Sequence, residues 1–109
     1  MRAITVYTIH EAEPEHLARV TEEMRVLGAP RIRVVDCGDH FFALEGTHRL
    51  HAAAALNLTP EFDVLDQDAL VDADSLDWQD LQRGEQYTAG ELVAEAYSPI
   101  QAQALRFEV

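Results

Sequence analysis

Apolar and polar residues follow two different periods along the first third of the chain. Ala3 to Ile9 is rich in β-branched and aromatic residues, which predicts a strand. From Pro14 the apolar positions recur at spacings of three and four until Gly28, which predicts a helix with one buried stripe. These positions are Leu17, Val20, Met24 and Leu27. The chain therefore begins with a strand and a helix that packs on a sheet.

A second run of strands and a helix follows. Arg31 to Asp36 predicts a strand, and a turn from Asp36 to Asp39 leads into Phe41 to Leu44. The latter run is apolar on both faces, which predicts a buried interior strand. The alanine-rich stretch from His48 to Leu58 predicts a helix, and Phe62 to Leu65 predicts a short strand. The predicted buried positions of this helix are Leu50, Ala53, Ala54 and Leu58.

The last third of the chain is acidic and less regular. Asp66 to Gln86 has no clear period, so a helical turn and a packed loop around Trp78 both remain open. Thr88 and Glu91 form a capping box that predicts a helix reaching Tyr97, and Leu105 to Val109 alternates as a final strand does. These elements predict one domain over residues 1–109, an α+β or α/β fold with a small mixed sheet and packed helices.

The charge of the chain narrows the classes of partner. The net charge is -12, from 20 acidic residues and 8 basic residues, and every basic residue is arginine. Because nucleic-acid binding relies on clustered cations, we expect no duplex DNA or RNA partner. The sequence has no apolar run of membrane-spanning length and no secretory leader pattern, so we expect a cytoplasmic protein without a membrane partner.

The main candidate site is the five-residue stretch Glu45 to Arg49, where a buried strand turns into a helix. Gly46 permits a sharp turn and a close approach of a ligand to the backbone. Thr47 is a natural N-cap, and the amides that follow it attract an anion together with the helix dipole. His48 and Arg49 add donors for phosphate oxygens. The stretch therefore predicts a site for a nucleotide or another phosphorylated small molecule.

Glu45 does not fit a simple anion site, because a carboxylate repels phosphate. It fits a role as a Mg²⁺ ligand that bridges phosphates, as a hydrogen-bond partner of a ribose or acceptor hydroxyl, or as a general base toward that hydroxyl. The alternative is an exposed residue or an ion-pair partner of Arg49. Glu45 is thus the candidate catalytic residue, and Mg²⁺ the candidate metal, with no metal site firmly assigned.

The order of strand, Glu45 to Arg49 and alanine-rich helix resembles the ParB/sulfiredoxin superfamily. Members carry an acidic or small residue, Gly, a variable residue, His or Arg, and then Arg at this junction. The resemblance spans about Glu15 to Leu65. It implies an α/β fold that binds ATP, ADP or CTP, with phosphate contacts from Gly46, His48 and Arg49.

Departures from the superfamily narrow the expected activity. Sulfiredoxin has its catalytic cysteine where this chain has Thr47, while Cys37 lies in a turn ten residues earlier, so sulfinic-acid reduction is disfavoured. Chromosome partition is disfavoured because the chain is acidic and ends at Val109 without DNA-binding segments. The acid-Gly-x-His-Arg form also resembles free-serine kinases, which implies NTP hydrolysis or phosphotransfer to a small hydroxyl acceptor.

The connection between the first strand and helix supplies further candidate acids. If this connection packs beside the corner, as it does in the superfamily, Glu11 or Glu13 is the best candidate for an accessory catalytic or metal-binding acid. The spacing of the histidines and acids between His10 and His16 fits no zinc signature. His48 and His51 are spaced for a shared metal, but a phosphate-donor role for His48 is favoured.

The acidic second half supports an alternative function. Residues 61–109 carry 12 acidic residues and only two arginines, and the aspartates from Asp63 to Asp80 match no Ca²⁺-loop pattern. They predict a solvated face or a docking surface for a basic protein partner. The alternative is therefore a non-catalytic regulatory or antitoxin-like interaction protein. The oligomeric state is open, and a homo-oligomer is among the alternatives.

Overall fold

The computed structural model describes residues 3–9, 12–76, 78, 81–96 and 103–108. Its strands are β1 (Ala3–Thr8), β2 (Arg31–Asp36), β3 (Phe41–Ala43), β4 (Glu61–Leu65), β5 (Leu70–Asp72), β6 (Gln86–Thr88) and β7 (Gln103–Glu108). Its α-helices are α1 (Pro14–Leu27), α2 (Thr47–Ala55) and α3 (Ala89–Ala96), and a 3₁₀ turn covers Ala73–Ser75.

Among the described residues, five strands form one mixed sheet in the order β4-β2-β3-β1-β7. β1 is parallel to β3 and β2 is parallel to β4, whereas β2–β3 and β1–β7 are antiparallel. β5 and β6 form a separate antiparallel pair. The fold is therefore mixed α+β, and the predicted interior position of the Phe41 strand is confirmed by its place in the middle of the sheet.

The two faces of the sheet carry separate hydrophobic clusters. Alternation along β2 directs Ile32 and Val34 to the face covered by α1 and α2, and Val35 to the opposite face. On that opposite face, Phe42 and Leu44 pack with the β5–β6 pair and α3. The sheet thus lies between two helical or hairpin layers, and both of its faces are apolar.

Helix α1 has the predicted bounds because Pro14 starts it and Gly28, with φ of 82°, ends it. Met24 is buried, and Leu17 and Val20 pack against the same cluster. The predicted burial of Leu27 was wrong, since 81% of this residue is exposed. The last turn of α1 borders an open cleft instead of the sheet, so its apolar side chain faces solvent.

Helix α2 starts one residue earlier than predicted and ends three residues earlier. The chain leaves the helix through a turn at Leu56 and Asn57, and Asn57 has a left-handed φ of 57°. Ala52 is fully buried, although it was not among the predicted core positions. The reason is that α2 contacts both α1 and the sheet, so its buried stripe is wider than one row of side chains.

The acidic segment contains β5 and β6, which the sequence did not predict, and the 3₁₀ turn Ala73–Ser75 immediately before Leu76. The capping box before α3 is confirmed: the amide of Glu91 donates to Thr88 Oγ1 at 3.1 Å, and the amide of Thr88 donates to Glu91 Oε1 at 3.2 Å. The predicted final strand is also confirmed, with Phe107 buried. Tyr97 and Val109, the predicted ends of these elements, lie outside the described residues.

No helix in the described part of the chain has both the length and the apolar character needed to span a membrane.

Candidate functional site

The sheet topology brings the corner between β3 and α2 next to the start of α1. Because β1 and β3 are parallel, their carboxyl ends lie at the same edge of the sheet. The backbone amide of Glu13 donates to His48 Nε2 at 2.9 Å, and the rings of His16 and His48 stack with centroids 4.1 Å apart. The backbone of Glu13 therefore lies beside the corner. Glu11, the other predicted accessory acid, lies outside the described residues.

Gly46 occupies the N-cap position of α2 in a left-handed conformation, with φ of 75° and ψ of 30°. A Cβ atom here would lie 2.5 Å from Ile32 Cδ1 and 3.2 Å from Arg49 Nη2. The prediction of Thr47 as the N-cap was wrong, because the left-handed glycine takes that position and makes Thr47 the first helical residue. α2 consequently begins without a side-chain cap.

Only 3% of the Thr47 surface is exposed, and the residue lines the cleft beside the corner. Its hydroxyl oxygen has no hydrogen-bond partner among the described residues. A buried polar group without a partner costs about 1–3 kcal/mol, so such groups are rare in folded proteins.

The amino ends of two helices meet at this corner. α2 begins at Thr47, and α1 begins at Pro14. The residue before Pro14, Glu13, donates a hydrogen bond from its amide to His48 of α2. A helix leaves its first amides without acceptors inside the helix and carries a partial positive charge of about half a unit at this end. Two such ends favour a bound anion more than one does.

Arg49 is the cation of the corner and is held by long contacts. Its Nη2 lies 3.3 Å from Glu45 Oε1, and its Nη1 donates to the carbonyl of Arg31 at 3.4 Å. Ordinary charge-assisted bonds of this kind are about 2.7–2.9 Å long. Since 43% of its side chain is also exposed, the guanidinium can turn toward a ligand with little loss of contact.

The carboxylate of Glu45 forms its shortest contacts with Arg33. Arg33 Nε donates to Glu45 Oε2 at 2.8 Å, and Nη2 of the same guanidinium contacts the same oxygen. Arg33 also binds Ser75, through Nη1 to Oγ and through Nη2 to the carbonyl, each at 3.0 Å. Both Glu45 oxygens are therefore engaged by arginines. Of the roles that the sequence left open for Glu45, the structure shows contacts for an ion pair. Arg33 makes shorter contacts with Glu45 than Arg49 does.

Arg33 is a site residue that the sequence analysis did not identify. A signal was present, because Arg33 is a charged residue in the interior of β2, between Ile32 and Val34. Its side chain points to the face of the sheet opposite those two residues, where it joins β2 to Glu45 and Ser75.

A cleft of about 490 Å³ lies between α1 and the corner. This volume is within the usual range for small-molecule sites. Its polar end contains the corner residues Gly46 to Arg49, and its apolar wall includes Val20, Met24 and Pro30. Trp78 also lines the cleft, and its indole Nε1 donates to the carbonyl of Leu44 at 2.8 Å. The cleft thus joins an anion-binding end to an apolar wall.

Helix α2 carries two histidines, His48 and His51. His48 accepts the Glu13 amide through Nε2, and its donor role toward phosphate stays a prediction. His51 lies half-buried one turn later. Within the described ranges, no three His, Cys, Asp or Glu side chains are grouped so that they could hold a metal ion.

Cys37 lies in the predicted turn between β2 and β3, at the opposite end of β3 from the corner. The turn is confirmed by a 2.9 Å bond from the Gly38 amide to Asp36 Oδ1. Burial raises the pKa of the Cys37 thiol, the nearby Asp36 and Asp39 carboxylates act in the same direction, and the contact with Gln67 opposes them. A thiol with a raised pKa is a poor nucleophile at neutral pH.

No family model, curated protein or solved structure matches this chain. What the molecule binds is therefore inferred from the corner, the cleft and their charges.

Proposed function

We propose that this protein binds a nucleotide by its phosphate at the amino end of α2, as the ParB/sulfiredoxin superfamily does. The observation that carries the proposal is Thr47, a buried residue of the cleft lining whose hydroxyl has no hydrogen-bond partner among the described residues. A phosphate oxygen beside the first turn of α2 would supply that partner.

Three further features support an anion at this position. The first amides of α2 receive no side-chain cap from Gly46, so they are suited to donate to a ligand. Within the described ranges, Arg49 has only long contacts with protein atoms, and it can bind phosphate oxygens. The start of α1 adds a second helix dipole.

The apolar wall of the cleft accounts for the rest of the ligand. Val20 and Met24 from α1 face the same cleft as the Trp78 ring, which the hydrogen bond to Leu44 holds in place. Aromatic and apolar surfaces of this kind bind planar heterocycles well. A nucleotide combines such a ring with a phosphate, and its hydroxyl groups would lie between the two ends.

The proposal concerns binding and does not include phosphotransfer. A general-base or Mg²⁺-binding role for Glu45 requires a carboxylate oxygen that is available to substrate or metal. Both Glu45 oxygens contact arginines, and the shorter contacts are those with Arg33.

The first test removes the Thr47 hydroxyl without changing the shape of the side chain. Isothermal titration with AMP, ADP, ATP and CTP is compared for the native protein, Thr47→Val and the control Thr47→Ser. We expect Thr47→Val to weaken binding about tenfold, which corresponds to the loss of one hydrogen bond to a charged group. Thr47→Ser keeps the hydroxyl and should bind within about threefold of the native protein.

The same variant has an opposite effect on the free protein. Thr47→Val removes a buried hydroxyl that lacks a partner, so its unfolding free energy in urea should rise by about 1 kcal/mol. Absence of binding below about 1 mM for all four nucleotides would contradict the proposed function. Binding that Thr47→Val leaves unchanged would place the phosphate elsewhere.

A further inference from the structure

The charges that face the cleft are few and nearly balanced. Among the described residues, the charged side chains of its lining are Arg49, Glu23 and Glu45. Arg33, which does not line the cleft, forms an ion pair with Glu45. These two arginines and two glutamates sum to zero. The remaining positive field comes from the amino ends of α1 and α2, about half a unit each.

We propose that this cleft selects a ligand with a single phosphate group, a phosphomonoester such as a nucleoside monophosphate, and binds it without a divalent cation. This inference rests on the proposed function and narrows its ligand class. It departs from the ATP, ADP or CTP that the family resemblance implies, because the described cleft lining has fewer positive charges than a polyphosphate requires.

The first argument is the amount of charge that the corner can neutralise. A phosphomonoester carries a charge of about -1.5 to -2 at neutral pH. Because Arg33 pairs with Glu45 and Glu23 lies about two turns of α1 beyond His16, Arg49 leaves about one positive charge at the corner, and the two helix ends together supply about one more. This matches one phosphate group. Each additional phosphate brings further negative charge for which the described cleft lining offers no second free arginine and, in this chain, no lysine.

The second argument concerns the metal ion that commonly accompanies a polyphosphate. Mg²⁺ is usually bound by one or two carboxylates together with the phosphates. Glu45 is the carboxylate nearest in sequence to the phosphate-binding residues, and its two oxygens are engaged by Arg33 and Arg49. A carboxylate held between two guanidinium groups is a poor ligand for a second cation, since the arginines must first be displaced.

The third argument is the position of Glu23 on the wall opposite the corner. Glu23 follows His16 by seven residues, about 10 Å along the axis of α1, and His16 stacks on His48 at the corner. A phosphate chain that extends from the corner along α1 therefore approaches the Glu23 carboxylate and is repelled. A ribose hydroxyl at the same place would donate a hydrogen bond to it.

The test compares AMP, ADP and ATP by isothermal titration of the full chain, with and without Mg²⁺. We expect AMP to bind at least about tenfold more tightly than ATP, with ADP between them, and Mg²⁺ to leave AMP binding unchanged. The variant Glu23→Gln should tighten ATP binding about threefold and change AMP binding little, because only the longer ligand reaches this position.

The matched control is Glu22→Gln on the neighbouring position of α1. Glu22 is exposed, pairs with Arg25 and does not line the cleft. This control should leave the ratio of ATP to AMP affinity unchanged. Both substitutions are at exposed helix positions, so unfolding curves should show equal stability within about 0.5 kcal/mol.

The outcomes separate the two proposals. Tighter binding of ATP than AMP, or binding that requires Mg²⁺, overturns the single-phosphate preference and leaves the Thr47-dependent site standing. A Glu23→Gln protein with an unchanged ATP to AMP ratio overturns the role of Glu23. If AMP, ADP, ATP and CTP all fail to bind, the proposed function fails and the ligand preference fails with it.

Discussion

At the corner, Gly46 combines a left-handed backbone with a close approach to a neighbouring strand. The positive φ alone disfavours any side chain, and a Cβ would in addition meet Ile32 Cδ1 at 2.5 Å. Ile32 is a fully buried residue of β2 and cannot move without disturbing the core. The same Cβ would press on the Arg49 guanidinium, so this position affects both stability and the proposed site.

These two effects can be separated with Gly84 as the control. Gly84 has a φ of 80°, close to the 75° of Gly46, but no atom lies within 4 Å of its Cβ position. Gly84→Ala should therefore lose only about 1–2 kcal/mol for the left-handed conformation. Gly46→Ala should lose about 1–3 kcal/mol more from overpacking, as measured by urea unfolding. Equal losses for the two variants would show that Ile32 yields without strain.

The role of Glu45 shows what a sequence cannot supply at the residue scale. Local spacing offered Arg49, four residues later, as its only ion-pair partner. The stronger partner is Arg33, which reaches Glu45 from an adjacent strand and is twelve residues away in the chain. Such a pair depends on the register between β2 and β3, and this register is not visible in local periodicity.

At the scale of elements, those with strong local signals were predicted well. Pro14 and Gly28 fixed the ends of α1, and the bounds of β2 agree with the sequence to the residue. β5 and β6 were missed because each has three residues, too few to display a period of two. Val71 of β5 and Tyr87 of β6 pack against the apolar face of the sheet, a tertiary contact that local periodicity does not show.

The start of α3 depends on a reciprocal cap and offers a direct measurement. Thr88→Ala removes the Oγ1 that accepts the Glu91 amide, and also the hydroxyl that donates to Glu91 Oε1 at 2.9 Å. We expect the unfolding free energy to fall by about 1 kcal/mol. Thr88→Ser retains both bonds and should lose less than about 0.5 kcal/mol. Similar losses for the two variants would indicate that packing, and not the cap, limits this helix.

The whole molecule carries its negative charge unevenly. Residues 1–60 have 8 acidic residues and 6 arginines, whereas residues 61–109 have 12 acidic residues and 2 arginines. Most described acids of the second part, among them Asp66, Asp68 and Asp72, are exposed. The site near α2 is therefore locally balanced, while the field of the complete chain, with a net charge of -12, repels anions.

This contrast predicts a particular response to salt. Added salt screens the distant acidic residues more than the close contacts at the corner, and the repulsion that it relieves is larger for ATP than for AMP. The ratio of ATP to AMP dissociation constants should fall roughly threefold between about 0.01 M and about 0.15 M ionic strength. Adenosine is uncharged and serves as the control, with an affinity that should not depend on salt. A ratio that stays constant would mean that the distant charges do not act on the site.

The hydrogen bond between Trp78 and Leu44 has a practical consequence for optical measurements. The sequence contains one tryptophan, and its indole lines the cleft and donates to the carbonyl of Leu44, immediately before Glu45. The tryptophan fluorescence of the protein therefore comes from a single fluorophore in the cleft wall. Its emission intensity and wavelength report on the polarity of that wall, so occupation of the cleft by a ligand can be followed without a label.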